Sequence, residues 1–528
     1  VEGLCYGEPP AVGLPPAALG TLDTSRVDWA VCSDSRRQMR TGWRSNMPGT
    51  FVPVVHRCCP HNELAALVLR AMGPVPPQVF GHLPARTLRC WKQLQRFCSR
   101  YDGGSWSHLE TAESYSGALR RRYVEAARSL ADDGLSGFKD YYLRPFLKAE
   151  KNRVPHKMAK PRLIYPRSPR YNLELASRLK PFEHWLWGRL NGRVFSCGDG
   201  SRIIAKGLSP RQRANLIVRK FSAIRDCVCF EIDGKAFEAH VGPAQLSQEH
   251  STYLGAFRGD KRLAWLLSVQ GKLFGRVSGA KFSRLGCRAS GDFNTGLGNS
   301  LIFLVECISA LRVVGVHFDL LVDGDNALLF VAKTDLPAVL ADFARLVETS
   351  SGHEVVLERP TSILEEIRFG GSAPVYLGSK LGWRMVREWH RVLSSAMSSH
   401  IYLKEPVFAR RWMSGVAQCE LSLARGVPIL QEWAVSIIQA LGPVKAIKDD
   451  FLADYRYLGA SRVELDAAEP VAVEARISFE RAFGVNPADQ ISMESYQPYL
   501  GSSWQVFAPI SFQDWMDEVG IHETWLQG

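Results

Sequence analysis

Cysteine is scarce and scattered. Twelve occur in 528 residues at irregular spacing, which excludes a disulfide-built scaffold. Most, such as Cys227, Cys229 and Cys307, sit among apolar neighbours as reduced thiols do, so a reducing compartment is expected. One cluster, His56-Arg57-Cys58-Cys59-Pro60-His61, offers half of a zinc site. No second Cys/His pair lies at ligand spacing, and loop packing is the preferred reading. Long apolar runs are missing too. The richest stretch, Leu301 to Val322, is interrupted by Glu306, Arg312, His317 and Asp319, which argues against a membrane span. No basic-then-apolar signal opens the chain, and it begins at Val1 without an initiator Met. A fragment, a processed product or the downstream part of a longer translation product is the expectation. Repeats with a period of 20–50 residues are not apparent, and Gly (44) and Pro (29) are too few for a collagen-like or low-complexity chain.

What is present fits a globular protein of two to four domains or one large multi-part fold: 46% hydrophobic and 22% charged residues. Lys and Arg outnumber Asp and Glu by 65 to 53, for a net charge of +12. That excess favours a polyanionic partner, either nucleic acid or an anionic membrane surface.

Residues 1–55, with Pro9-Pro10 and Pro15-Pro16, read as an irregular surface arm. Helical periodicity runs from Asn62 to Met72 and stops at Gly73-Pro74, and a second helical region spans about 106–132. A basic stretch follows: Lys148, Lys151, Arg153, Lys157, Lys160, Arg162, Arg167 and Arg170 against the single carboxylate Glu150. Such runs are usually solvated faces. Here Leu163, Ile164, Tyr165 and Pro161, Pro166 and Pro169 are threaded through, which suits a strand-and-turn element presenting cations to phosphates.

From Asp226 to Asp233 the residues alternate as in a strand, and Gly234 ends it with Asp233 at the carboxyl end. Farther on, two apolar runs flank Asp323-Gly324-Asp325-Asn326, a strong hairpin signal with Asp325 at its tip. A lone carboxylate leaving a buried sheet is costly unless it binds metal. Between the two carboxylates lies Ser290-Gly291, then Thr295 and Asn299 four residues apart on one face of an apolar helix. Gly291 begins a loop where a backbone can approach phosphate or ribose closely. Each signal alone is weak, since Asp233 and Asp325 could cap turns and Glu238 and Asn299 could be helix-surface groups. Together they make the inventory of two-metal phosphoryl transfer: two carboxylates for two Mg²⁺ and cations for a triphosphate.

In this order the motifs resemble those of the viral RNA-directed RNA polymerases of the tombusvirus-like group. Asp233-Gly234-Lys235-Ala236-Phe237-Glu238-Ala239-His240-Val241 is similar to that group's first catalytic motif. Ser290, Gly291, Thr295 and Asn299 match the second without a gap, and Gly324-Asp325-Asn326 stands where the third has Gly-Asp-Asp. The run Lys160 to Asn172 resembles the motif that grips incoming nucleotide. Leu364 to Phe369, Trp383 to Val386 and His56 to Glu63 extend the likeness, which is strong over about residues 50–390 and loose beyond.

The resemblance implies an α+β right-hand polymerase of fingers, palm and thumb, with an antiparallel palm sheet flanked by helices. The expected divisions are an N-terminal arm linking fingers and thumb over 1–85, fingers over 86–225, palm over 226–391 with an inserted fingers segment at about 244–285, and thumb over 392–528. Carried over by position, Asp233 and Asp325 would hold two ions, Mg²⁺ or Mn²⁺, with Asn326 beside them at the catalytic centre. Glu238 and Asn299 would read the ribose 2′-hydroxyl. The Ser290-Gly291 loop and Thr295 would adjust to template and sugar, while Lys160, Arg162 and Arg167 would brace the triphosphate. Implied partners are template RNA, product RNA and nucleoside triphosphates, with an upstream viral replication protein or membrane-anchored partner as a further candidate. Host cytoplasm at membrane-associated replication sites is the expected location.

Three positions depart from the pattern. Glu238 replaces Asp, Asn326 replaces the second Asp of the hairpin, and Val356 falls where a basic residue is expected, with His353 and Arg359 close in sequence. Two rival readings follow: a catalytically silent RNA-binding protein that kept the fold, and a reverse transcriptase, disfavoured because Glu238 keeps the ribose-reading acid. The helical pattern after about 392, including Val471 to Phe483 and a cap at Asn486-Pro487, is read as the thumb. Its Trp412, Trp433, Tyr455, Tyr457, Trp504, Trp515 and Trp525 are read as core, and His240 as a packing residue as readily as a functional one.

Overall fold

A four-stranded antiparallel sheet organises the chain. In the computed structural model, which describes residues 20–30, 37, 39–45, 47–153, 159–445 and 447–495, its strands are β1 (Cys227–Gly234), β2 (Phe318–Asp323), β3 (Asn326–Ala332) and β4 (Val355–Leu357), in the order β4-β1-β3-β2. The alternation read in the sequence sends side chains to two different cores. Phe230, Ile232, Leu320, Val322, Ala327, Leu329 and Val331 join the larger one, with helices on that face. Cys229, Leu321, Leu328 and Phe330 join a second, with Ala214 and Ile217 of the helix Pro210–Ala223. Apolar burial on both faces is why the strands read as nearly continuous hydrophobic runs.

Three helices matter most for the site. Helix α1 (Pro169–Arg189) starts at Ser168, whose hydroxyl accepts from the Tyr171 N–H, with Pro169 in the first turn where no amide donor is needed. Helix α2 (Thr295–Val314) is buried on all sides from Leu297 to Leu311, which explains its lack of a polar face. Among the described residues it is the one helix long and apolar enough to cross a membrane, and most of it lies inside the protein. Helix α3 (Leu336–Ser351) packs against α2 through Val339, Phe343 and Val347.

Other expectations shift in detail. The helix from Asn62 begins at Pro60, and after Ala66 it widens to a π-helical turn, Leu67–Ala71, closed by the Met72 N–H on the Leu67 carbonyl. The region 106–132 is two helices, His108–Glu113 and Gly117–Asp132, with Ser107 and Glu110 capping the first reciprocally. Between β1 and α2 lie helices Pro243–Ala256 and Lys261–Ser268 and a ribbon, Lys272–Val277 with Ala280–Leu285, which pairs with Gly20–Asp23. The N-terminal helix packs on this ribbon and on Leu163 and Tyr165.

The C-terminal part has its own core. It includes Trp412 and Trp433, as expected, and begins before residue 392, because Ala373, Val375 and Val386 belong to it. Tyr455 is partly buried against it, while Tyr457 is exposed. Gly484 caps the helix Val473–Phe483, and Asn486 caps Pro487–Ser495 through the Asp489 N–H at 2.8 Å. Trp504, Trp515 and Trp525, the prolines of residues 1–19 and Lys157 lie outside the described residues. The ten described cysteines are free thiols, all buried except Cys58. In the His56–His61 cluster, the His61 ring lies 5.1 Å from that of Trp29 at a tilt of 51°, and His56 lies 3.4 Å from the Asn152 amide.

Candidate active site

The carboxyl end of β1 and the tip of the β2–β3 hairpin meet by strand register. Asp233 pairs with Asn326 on one side and with Val356 on the other. Two residues, Gly324 and Asp325, join β2 to β3. Gly324 has φ +68° and Asp325 does not share it, the II′ geometry that matches strand twist and favours Gly at the first position. The Gly234 N–H donates to the Asp325 carbonyl at 3.1 Å, tying tip to strand end. With its amide turned to suit both neighbours, Asn326 donates through Nδ2 to Asp233 Oδ1 at 2.5 Å and to the Asp325 carbonyl at 3.3 Å.

The acids at this end repel one another. Burial, then the Glu238 and Asp233 charges, push the Asp325 carboxyl up to about 6, and Arg162 offsets only part. Burial and Glu358 likewise raise Asp233. Neither Asp233 nor Asp325 forms an ion pair among the described residues. Glu231, farther back on β1, is pushed up to about 7 by burial, with Asp233, Glu358 and Asp325 adding to the rise.

Glu238 sits in a short helical turn after β1, Phe237–His240, entered through Ala236 at φ +43°. The Arg288 N–H holds the Glu238 carbonyl at 2.9 Å. Nearby His240 is buried between the Ala236 carbonyl (3.0 Å) and Glu354 (3.2 Å), as a packing histidine would be. The Ser290-Gly291 loop lies against the strand Leu163–Ile164 and the residues after it: a Cβ on Gly291 would sit 2.6 Å from the Pro166 backbone. Thr295 donates its hydroxyl to the Asp292 and Ala289 carbonyls at 2.8 and 3.1 Å, bracing the loop.

Asp325, Glu238, Ser290, Thr295 and Arg162 line one cavity of about 280 Å³, together with Arg70, Lys148 and Arg288. Asp233 and Asn326 face a neighbouring hollow of about 690 Å³ that also receives Glu231, Glu358 and Arg359. Asn299 is buried one turn along α2 from Thr295.

Two of the expected cations lie elsewhere. Arg167 is almost fully buried, donating to Asp292 at 2.8 Å and to the Tyr141 carbonyl at 2.7 Å, so its charge is spent inside the protein. Lys160 is exposed and does not line the cavity; its carbonyl accepts from Arg70 at 3.2 Å. Arg70, absent from the sequence reading, reaches in from the π-helical turn and also donates to the Pro161 carbonyl at 3.0 Å. Burial, then the nearby Arg162 charge, lower its proton affinity, and Glu150 and Glu238 offset part of that. A π-helical turn often marks a functional residue, but the sequence carries no visible sign of one.

Among the described residues no group of three or more His, Cys, Asp or Glu is arranged as a closed metal cage. The fit to divalent ions rests on something else: two hard-oxygen carboxylates without an ion-pair partner among the described residues, both raised by burial and by neighbouring acids, at the edge of a cavity that Arg70, Lys148 and Arg162 also line. The chain belongs to the family described as viral RNA dependent RNA polymerase, which it matches over residues 56–505. Among curated proteins it is similar to RNA-directed RNA polymerases of Carnation mottle virus (32% identical, covering 76% of this chain and 52% of that one) and Turnip crinkle virus (32%, 73% and 49%). That of Tomato bushy stunt virus is 29% identical, over 84% of this chain and 54% of the relative. The chain thus spans about half the length of the curated relatives it matches.

Proposed function

We propose that this chain copies RNA into RNA by two-metal nucleotidyl transfer, as the catalytic part of a viral genome-replication apparatus. The observation that carries the reading is the uncompensated pair Asp233 and Asp325 at one end of the central sheet, with Glu238 and the Arg70–Arg162 cations beside it. Divalent ions, Mg²⁺ or Mn²⁺, bound by these carboxylates would supply the Lewis acidity that activates a 3′-hydroxyl and neutralises the leaving pyrophosphate. The chain's own residues do the rest. Arg162, Arg70 and Lys148 neutralise the triphosphate and orient it, Arg162 through a planar guanidinium that also pairs with Glu150 at 3.3 Å. Glu238 and Asn299 select the sugar, and the Ser290-Gly291 loop accommodates template and ribose.

In this reading the central sheet is the palm, the segments 86–225 and 244–285 are fingers, the helices after 392 are the thumb, and the N-terminal arm bridges the two. Template RNA is held by the net positive surface, and a membrane-anchored partner brings the enzyme to its replication site. Asp233 and Asp325 are both retained, which outweighs the departures at Asn326 and Val356 and disfavours a silent RNA-binding protein. The test is an extension assay with template RNA, Mg²⁺ or Mn²⁺, and labelled NTPs or dNTPs. Ribonucleotide addition that depends on template and metal is expected; binding without addition would overturn the assignment, and preferential use of dNTPs would make the chain a reverse transcriptase.

A further inference from the structure

At the wall of the cavity, Arg288 connects the two residues assigned to sugar selection. Its backbone N–H donates to the Glu238 carbonyl at 2.9 Å. Its side chain, 2% exposed as a residue, donates through Nε to Asn299 Oδ1 at 3.1 Å. The guanidinium is itself fixed from behind by Glu249, which both terminal nitrogens engage. Glu249 also accepts from the Tyr253 hydroxyl at 2.7 Å and the Asn294 amide at 2.9 Å. The pair passes directly beneath α2 at Gly298, where any Cβ would collide with both Glu249 and Arg288.

A guanidinium is a donor on every nitrogen and never an acceptor. The Asn299 atom facing Arg288 Nε is therefore the amide oxygen, and the amide cannot turn over without setting N–H against N–H. Its Nδ2 donates to no described residue, so the two hydrogens remain for a ligand. We propose that Arg288 is a positioning residue that locks the Asn299 amide with its NH₂ toward the sugar. The 2′-hydroxyl then meets one donor, Asn299 Nδ2, and one acceptor, the Glu238 carboxylate, matching both halves of its hydrogen-bonding capacity. A deoxyribose leaves both unpaired. This inference rests on the polymerase reading above.

The test uses three proteins: the parent chain, Asn299→Asp, and the double variant Arg288→Met/Glu249→Gln. Asp at 299 keeps an oxygen for Arg288 but has no hydrogen to donate. The double variant leaves Asn299 in place and frees its amide to turn, while Gln still accepts from Tyr253 and Asn294. The readout is the ratio of kcat/KM for UTP and dUTP on one template. A fall of at least about tenfold is expected in both variants, the size of a lost hydrogen-bond preference of ~1.4 kcal/mol. A ratio unchanged in either folded variant overturns the proposal. So does a folded double variant that adds neither nucleotide, because a residue acting only by orienting Asn299 leaves the chemistry in place. Should the double variant fail to fold, Asn299→Asp decides alone; its own failure to fold, with a carboxylate beside Arg288, contradicts the geometry described. A parent chain inactive with every nucleotide would instead reject the polymerase reading.

Discussion

At the cleft, Asp325 and Asp233 lie close to Glu238 and, among the described residues, form no ion pair; Asp325 rises to about 6, with Arg162 offsetting only part. Behind α2, Glu249 is more deeply buried than any of them, and burial alone would raise its carboxyl. Arg288 and the hydroxyl and amide donors around it overcome that push and hold it below the usual range. The two groups have the same chemistry and opposite treatment. Where the protein needs an acid for support it surrounds it with donors. Where the acid must hold a ligand it leaves the charge unsettled, and the folded chain bears the repulsion.

The sharpest way to break this contrast is Asp325→Asn. Nucleotide addition is expected to fall roughly a thousandfold or more, since the lost charge acts at the reacting phosphate. RNA affinity, measured by filter binding or anisotropy, should stay within about twofold, because it rests on cations spread over the surface. Comparable loss of RNA binding in a folded variant would show that Asp325 is structural. Next comes Arg288→Ala, which strands the Glu249 charge in the interior. Urea unfolding should report about 3–5 kcal/mol of lost stability, whereas Asp325→Asn loses none. A loss under ~1 kcal/mol would mean that water reaches Glu249.

A smaller effect is expected at Glu183, an acid that burial raises to about 7 away from the cleft. The folded chain keeps a proton there that the unfolded chain releases near pH 4.5, so stability falls as pH climbs between 4.5 and 7. Glu183→Gln should match the parent below that window and exceed it above pH 7 by up to about 3 kcal/mol. Thermal melts across pH would show parallel curves if Glu183 were solvated. The smallest change concerns Asn326→Asp, which replaces the donor on Asp233 by a second charge. The Mg²⁺ concentration for half-maximal activity should drop about three- to tenfold, up to ~1.4 kcal/mol, with a weaker change in Mn²⁺. Superimposable titrations would place residue 326 outside the metal's reach.

The acids at the cleft were legible because strand alternation, a Gly/Asp/Asn turn and an i, i+4 pair are local patterns. Asp233 at a strand end, Asp325 at a hairpin tip and Thr295 with Asn299 on α2 all follow from periods of 2 and 3.6. The cations were less legible. Charge density along 148–170 shows that positive groups gather there, but not which of them meets a carboxylate brought in from elsewhere. Arg167 is consumed by Asp292, far along the chain, and Arg70 arrives from an N-terminal turn. Arg288 carries no sequence signal for the same reason: its partners Glu249 and Asn299 are neighbours only after folding. The interruption between Glu113 and Gly117 is not visible in the sequence because apolar spacing continues across it.

The order of strands has a consequence for how the protein reaches its working form. β1 is flanked by β3 and β4, neither of them its neighbour in sequence, so Asp233 meets Asn326 only after roughly ninety intervening residues have closed into a loop. Closing a flexible chain of that length costs about 4 kcal/mol in entropy before any pairing returns it. The β2–β3 hairpin, with its two-residue turn, can form in microseconds, whereas the contact that completes the carboxylate pair must wait for this distant closure. A nascent or truncated chain ending before β3 would hold Asp233 without its counterpart, and catalytic competence should therefore be among the last properties acquired during synthesis.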